Sequence, residues 1–412
     1  MKKYFFFIIP VFLFCYSSCI QAQQIPINDN NLSKSYPFIN TASNRISNNK
    51  SLDLFYQKLF LLKTKKAGVI SIVHIGDSHI QADYLSMIVR NNLQQFFGNA
   101  GRGLVFPYQL AQSNAPPDIT SSSNTTWEFN RLAHPEIPIA SGLSGFCIRT
   151  NTSGASIDLY LKTIDTTINQ QFNRLKFFLD NNISSSWILQ ANNNNAPFLI
   201  KKDEDDSSLF SEVTLEQPAD GFSLSSLPSG NTKEFYGVSL ENSRPGILYH
   251  TIGVNGARYD SYNTAPLFWQ QLRALKADLF IISLGTNDAQ KTDLDQKIFL
   301  QQVTLFMQKL KSVSPDAAII ITTPADYFYK RRRPNSMLRQ ICSSLSGYCT
   351  RNNIPFWDLY HITGASGSAY KWLRKGLMNN DRVHFTNDGY RIQGNLLFNA
   401  FAKGYNSYIR IH

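Results

Sequence analysis

Hydrophobic and polar positions divide the chain into two patterns. In the first, apolar runs of strand length end on glycine, asparagine or proline and lead into segments with helical spacing. Val69–Ile75 ends at Gly76-Asp77-Ser78, Ile247–Val254 at Asn255-Gly256 and Leu279–Leu284 at Gly285-Thr286-Asn287-Asp288. AAIIITTP and IPFWDLY are two further runs of this kind. Such runs are too short for helices and too continuous for half-exposed strands, so they predict strands buried on both faces. Between them, Leu52, Phe55, Leu59 and Leu62 mark one amphipathic helix, and Leu85, Val89, Leu93 and Phe96 a second. Leu294, Ile298, Val303, Phe306 and Leu310 mark a third, and Met337 to Asn352 a fourth. Strands alternating with helices predict a parallel sheet covered on both faces.

The second pattern occupies residues 111–245. Helical periodicity disappears there, Asn, Ser and Thr become common, and short alternating runs such as ASIDLYLK, RLKFFLD, GFSLSSL and EFYGVSL take over. Strands at this pitch with Asn/Gly/Ser turns predict an antiparallel β-sandwich inserted into the α/β chain. The predicted organisation is therefore a discontinuous α/β unit, 51–110 and 246–412, interrupted by a β-rich insertion at 111–245. Within the insertion, Trp187 and Phe235 are candidate platforms for stacking on sugar faces, while most of its aromatics are expected in the core. Residues 23–50, rich in Asn and Ser, read as a loosely ordered leader, and the glycines of GNAGRGLVFPY as a tight loop beside the site.

Composition refines this picture. With 412 residues, 43% hydrophobic and 17% charged, the chain is globular and long enough for one large or two ordinary domains. A formal net charge of +11 suits weak association with an anionic cell-wall or membrane surface. Without a zinc finger, P-loop or Arg-rich helix, nucleic acid is not an expected partner. The run KRRRP, Lys330–Pro334, reads as a solvated surface loop ahead of a polymer clamp. Lys2 and Lys3, the apolar stretch Tyr4–Phe14 and the small Ala22 form a signal peptide over 1–22, so the protein is expected to be exported, to a periplasm or the cell surface. Cleavage after Ala22 is preferred to lipoprotein anchoring through Cys19, because Tyr16 is a poor match for the aliphatic residue of a lipoprotein signal. Cys147, Cys342 and Cys349 remain after such cleavage. Cys342 and Cys349, seven positions apart on one helix, would hold their Cα atoms about 10 Å apart, beyond disulfide reach unless the helix breaks near Gly347. Buried thiols are expected.

The chemistry converges on strand ends. A strand ending in Gly-Asp-Ser and feeding a helix puts Ser78 at the carboxyl edge of a sheet, where ligands bind in open α/β folds and free helical N–H groups stabilise negative charge. Gly-Asp-Ser alone reads more readily as a capped turn, and only the further stretches overturn that. A serine hydroxyl needs a base to be a competent nucleophile. NNDRVHFTNDGY offers one: Asp381 and His384 are three apart, a spacing at which the carboxylate accepts the imidazole Nδ1–H and leaves Nε2 free for a proton. Gly256 and Asn287, at two other strand ends, are placed to donate N–H groups to an oxyanion. His79 and His74 have no carboxylate at ligand spacing, so His79 reads as a substrate-lining or structural residue.

GDSH, GVNGA, GTND and DRVH resemble the four signature blocks of the SGNH (GDSL-type) hydrolases, over roughly residues 50–110 and 246–405. The resemblance implies a three-layer α/β/α fold with a parallel sheet. It makes Ser78 the nucleophile, His384 the base, Asp381 its orienter, and Gly256 and Asn287 oxyanion donors beside the Ser78 N–H. His79 replaces the leucine of GDSL. Together with the β-rich insertion and the YGVSLEN…GILYHTIGVNGA lead-in, it resembles the bacterial peptidoglycan O-acetylesterases, which carry a carbohydrate-binding-module-like β-sandwich at this place. The expected protein is a serine esterase that removes O-acetyl groups from a cell-wall glycan, peptidoglycan first, with no metal or organic cofactor. An O-acetyltransferase, an acetylesterase acting on another polysaccharide and a non-catalytic glycan-binding protein are the alternatives.

Overall fold

The apolar runs assemble into one six-stranded sheet in the spatial order Ile46–Ser47, Phe356–Trp357, Ala318–Thr322, Leu279–Ser283, Val69–Gly76, Gly246–Gly253. Every pairing among the last five is parallel, and Ile46–Ser47 closes the edge antiparallel to Phe356–Trp357. This is a computed structural model that describes residues 23–27, 30–180, 186–201, 208–227, 231–291 and 293–411. The expected signal peptide at 1–22, Cys19 included, lies outside the described residues. Val69–Gly76 is buried from Ile70 onward, as a strand with helices on both faces must be. Helices Asp53–Lys65, Tyr84–Phe97 and Asn387–Ile411 pack together, and Tyr259–Asn263, Pro266–Leu272, Gln296–Val313 and Ser336–Arg351 form a second packed group, giving the three-layer α/β/α arrangement. Among the described residues no helix is long and apolar enough to cross a membrane.

The β-rich stretch forms two antiparallel sheets. One has the order Phe198–Lys201, Ser186–Ala191, Gly221–Ser226, Ser156–Leu161, Ile119–Ser122. The other runs Ser211–Ala219, Phe172–Leu179, Lys233–Glu241, Phe146–Thr150, Glu128–Arg131, with Gly101–Val105 also paired to Lys233–Glu241. That last pairing corrects two expectations. The chain enters the antiparallel sheets at Gly101, ahead of residue 111, and Gly101 and Gly103 serve a strand and not a loop beside the site, while Gly98 ends helix Tyr84–Phe97. Gly103 lies at φ +82°, and a Cβ there would stand 2.3 Å from the Tyr249 carbonyl oxygen, so only glycine lets this strand lie against Gly246–Gly253. Beside it, the Leu104 N–H donates to His250 Nδ1 at 3.1 Å.

Other expectations need revision. The described residues of the 23–50 leader pack onto the fold: Ile25, Ile39 and Ile46 are buried, and Ile46 pairs with Trp357. Its asparagines satisfy backbone from distant segments, Asn44 Nδ2 donating to Leu396 O at 2.9 Å and Asn48 Nδ2 to Ile354 O at 2.9 Å. On helix Gln296–Val313 the inward face is Phe299, Val303, Phe306 and Leu310, while Ile298 is 54% exposed. Trp187 and Phe235 are buried in the core and offer no face to a sugar. Cys147, Cys342 and Cys349 are buried and free, with burial raising all three thiols.

The two parts are tied by a buried charge network. Arg102 donates through Nη2 to Asp83 Oδ2 at 2.7 Å and through Nε to Asp118 Oδ2 at 2.5 Å, while Arg90 Nη1 donates to Asp83 Oδ2 at 2.7 Å. Ser86 and Thr251 hydroxyls donate to Asp83 Oδ1 at 2.5 and 3.0 Å. Burial alone would raise the Asp83 carboxyl, but the two guanidiniums and the Ser86 hydroxyl outweigh it and hold it below the usual carboxylate range. Arg102→Met is expected to cost about 3–5 kcal/mol, because it strips Asp118 of its closest cation inside the protein. The sign with pH follows from the depressed Asp83 value. Its stabilisation is present above the unfolded pKa of about 3.9 and is lost as pH falls through the native value. Urea unfolding of wild type and variant at neutral and acid pH checks both statements: the gap between the two should narrow in acid.

Candidate active site

Strand Val69–Gly76 stops at the sheet's carboxyl edge, where Asp77 turns the chain into the four-residue helix Ser78–Gln81. Asp77 caps this helix, its Oδ1 accepting from the His79 N–H at 3.0 Å. Burial pushes the Asp77 carboxyl up to about 6, against the pull of that hydrogen bond. Asp83, at φ +60°, then redirects the chain into Tyr84–Phe97. Ser78 is thus the first residue of a short helix, held half-exposed at the sheet edge.

His384 arrives from the other end of the sequence. The loop before helix Asn387–Ile411 is closed by Asn379 N donating to His384 O at 2.8 Å, and the Thr386 hydroxyl accepts from Gly389 N at 3.3 Å. Within the loop, Asp381 Oδ1 accepts from Val383 N at 2.8 Å and His384 N at 2.9 Å. Asp381 Oδ2 is 2.8 Å from His384 Nδ1, and His384 Nε2 is 2.8 Å from Ser78 Oγ. Partial burial would raise the Asp381 carboxyl, but the two backbone N–H groups and the imidazole bring it below its ordinary value. With Nδ1–H donated to an ionised carboxylate, the imidazole presents Nε2 as the acceptor facing the hydroxyl.

The remaining two expected residues stand at the same cleft. Gly256 lies at φ +84° in the turn after Gly246–Gly253, and Asn287 follows Leu279–Ser283. One N–H of the Asn287 side chain is committed to Ala257 O at 3.0 Å, which ties it to the Gly256 turn and leaves its second N–H available. All five expected residues line one cleft of about 900 Å³.

His79 is not part of the hydrogen-bonded line. Its Nδ1 meets the Tyr390 hydroxyl at 2.9 Å, and its ring packs 5.0 Å from that of His384. Burial first, then the neighbouring imidazole, brings it down to about 3, so it is a neutral, structural neighbour of His384. His74 is likewise structural, held between the Tyr249 hydroxyl and Ser283 Oγ, each at 2.8 Å. Sequence reasoning missed two contributions to the cleft. Asn114 and Ala115 come from the β-rich side, and Lys330 and Arg331 come from the run first read as a solvated loop. Near the Gly256 turn stands the exposed His134, whose ring would lie 2.9 Å from a Cβ on Gly256. Only the charge run left a sequence signal.

Residues 224–392 match the GDSL-like Lipase/Acylhydrolase family. That stretch carries a GDSL-like acylhydrolase domain. The matched region includes Gly256, Asn287, Asp381 and His384 and begins well after Ser78, because the β-rich stretch separates the first block from the rest. Among solved structures, the fold matches a peptidoglycan O-acetylesterase at TM-score 0.72 and 20% identity, over 90% of this chain and 98% of that one. Weaker likenesses include a family two carbohydrate esterase from Cellvibrio japonicus (TM-score 0.31, 13% identity, 70% of this chain and 99% of that one). A GDSL-like lipase from Bacteroides thetaiotaomicron is another (TM-score 0.31, 23% identity, 38% and 76%). No curated protein matches the chain in sequence.

Proposed function

We propose that this acylhydrolase is an exported O-acetylesterase of cell-wall glycan, acting on peptidoglycan through a Ser78–His384–Asp381 acyl-enzyme mechanism. The observation that carries the reading is the continuous line from Asp381 Oδ2 through His384 to Ser78 Oγ, with both links at 2.8 Å. In the first step, Ser78 Oγ attacks the acetyl carbonyl carbon while His384 Nε2 takes its proton. Asp381 stabilises the imidazolium as it forms. The oxyanion accepts from the Ser78 and Gly256 backbone N–H groups and the second Asn287 N–H. His384 then protonates the departing sugar oxygen, and a water, deprotonated by the same imidazole, releases acetate from Ser78. The shared fold of a peptidoglycan O-acetylesterase supports the choice of glycan, and the N-terminal Lys2-Lys3 and apolar stretch support export.

Acetate release from a panel of O-acetylated peptidoglycan and xylan tests the assignment. Release from peptidoglycan without any added sugar acceptor is expected. Turnover only when an acceptor hydroxyl is supplied would instead make the enzyme an O-acetyltransferase, and preference for xylan would move the substrate to another polysaccharide. Asn287→Ala is expected to lower kcat by about 10²–10³ with little change in KM, since the oxyanion exists only beyond the ground state. Steady-state kinetics on an aryl acetate checks this; a raised KM with kcat intact would reassign Asn287 to substrate binding.

A further inference from the structure

One wall of the cleft is a cationic hairpin that the hydrolytic mechanism does not use. Phe328–Tyr329 pairs antiparallel with Arg333–Pro334, and Arg332 N donates to Tyr329 O at 3.1 Å across the turn. The two central residues, Lys330 and Arg331, lie at φ +47° and +59°. Two successive positive φ values define a type I′ turn, whose preferred sequence is Asn-Gly. Lys-Arg holds that shape against the steric preference of both residues, and such strain concentrates at functional positions.

The hairpin is fixed to the loop that carries His384. Phe328 N donates to Arg382 O at 3.0 Å, and Arg382 Nη1 donates to Arg331 O at 2.8 Å. Phe328 is buried, with its ring edge-on to Tyr370 at 4.5 Å. Lys330 and Arg331 are therefore held on the wall of the cleft that contains Ser78 and His384. Their charges are not consumed internally. Among the described residues none of Lys330, Arg331, Arg332, Arg333 and Arg382 has a carboxylate at ion-pair distance; Lys330 and Arg333 lie over the Tyr329 ring and Arg382 over Phe328. The one carboxylate lining the cleft, Asp381, is occupied by Val383 N, His384 N and His384 Nδ1.

We propose that this hairpin is a carboxylate-binding subsite, in which Lys330 and Arg331 engage a carboxylate carried by the glycan beside its acetylated sugar. The inference rests on the esterase reading for its substrate and deepens it: the enzyme selects O-acetylated polymers that are anionic at this position over neutral ones. Guanidinium and ammonium groups on a fixed turn suit a carboxylate, and their placement at the mouth also attracts an anionic polymer before docking. The carboxylate can sit on a substituent, as in peptidoglycan, or on the sugar ring, as in a polyuronate.

The test compares the full-length chain with the double substitution Lys330→Asn, Arg331→Gly. Asn-Gly is the favoured pair for this turn, so the hairpin is retained while its charge is removed. Both proteins are measured by co-sedimentation with O-acetylated peptidoglycan and O-acetylated polygalacturonate, each intact and with its carboxylates amidated. Wild type is expected to bind at least one intact polymer about tenfold more tightly than its amidated form, an effect that weakens with added salt. In the double variant that ratio should fall to near one, and the polymer that shows the dependence identifies where the carboxylate sits. An unchanged ratio in the variant, or no preference for either intact polymer in wild type, would overturn the subsite. The binding measurement needs no turnover, so a failure to release acetate would count against the esterase reading alone.

Discussion

Ser78→Ala is expected to lower kcat on an aryl acetate by about 10⁵–10⁶ while leaving the circular dichroism spectrum and urea midpoint close to wild type. The magnitude follows from the geometry, because Ser78 Oγ is the atom that faces His384 Nε2, and without it neither partner has a nucleophile to act on. The residual rate should reflect only the oxyanion donors and binding, which commonly retain about 10³–10⁴ over water. Folding should be spared because the Ser78 side chain is half-exposed and its helix is capped by Asp77, not by the hydroxyl. A purified variant within tenfold of wild type would remove the serine mechanism.

Asp381→Asn should give the next largest loss, about 10⁴ in kcat with KM little altered. The carboxylate makes three hydrogen bonds, two to the backbone that shape its own loop and one that sets the tautomer of His384. An amide in its place can turn its NH₂ toward Nδ1, which drives the ring proton to Nε2 and blocks it as an acceptor for the Ser78 hydroxyl. Because the loop's N–H groups hold the wild-type carboxyl below its ordinary value, Asp381 remains ionised in mildly acid solution. A proportional rise in KM would mean that Asp381 acts by another route.

The site was legible in the sequence for a physical reason. Parallel strands buried on both faces are continuous apolar runs, so their carboxyl ends are marked by the first polar or glycine residues after them. Ser78, Gly256 and Asn287 all stand at such ends. Asp381 and His384 were readable because their contact is local, three residues apart in one turn. Interactions between distant segments left no such trace. Asp83, Arg90, Arg102 and Asp118 look like ordinary surface charges, and only the fold shows that they neutralise one another in the interior. The 23–50 leader misled because asparagines that bind backbone read, in composition, like asparagines in solvent. Asn44 alone joins Leu396 and the Trp357 indole, which donates to its Oδ1 at 2.9 Å. Trp187 and Phe235 misled in the opposite way: an aromatic in an alternating strand points to either face, and both point inward. The Lys330–Arg333 run was visible as charge, but its place beside His384 depends on the Arg382–Arg331 hydrogen bond, which no local pattern encodes.

The central claim is that Ser78, activated by His384, forms a covalent acyl-enzyme. Its most direct test is labelling by a fluorophosphonate, followed by mass spectrometry of the proteolysed protein, in wild type and in His384→Ala. One stoichiometric adduct on Ser78 in wild type, formed orders of magnitude more slowly in His384→Ala, is the predicted result. An enzyme that releases acetate yet carries no adduct, or carries it on another residue, would contradict the account.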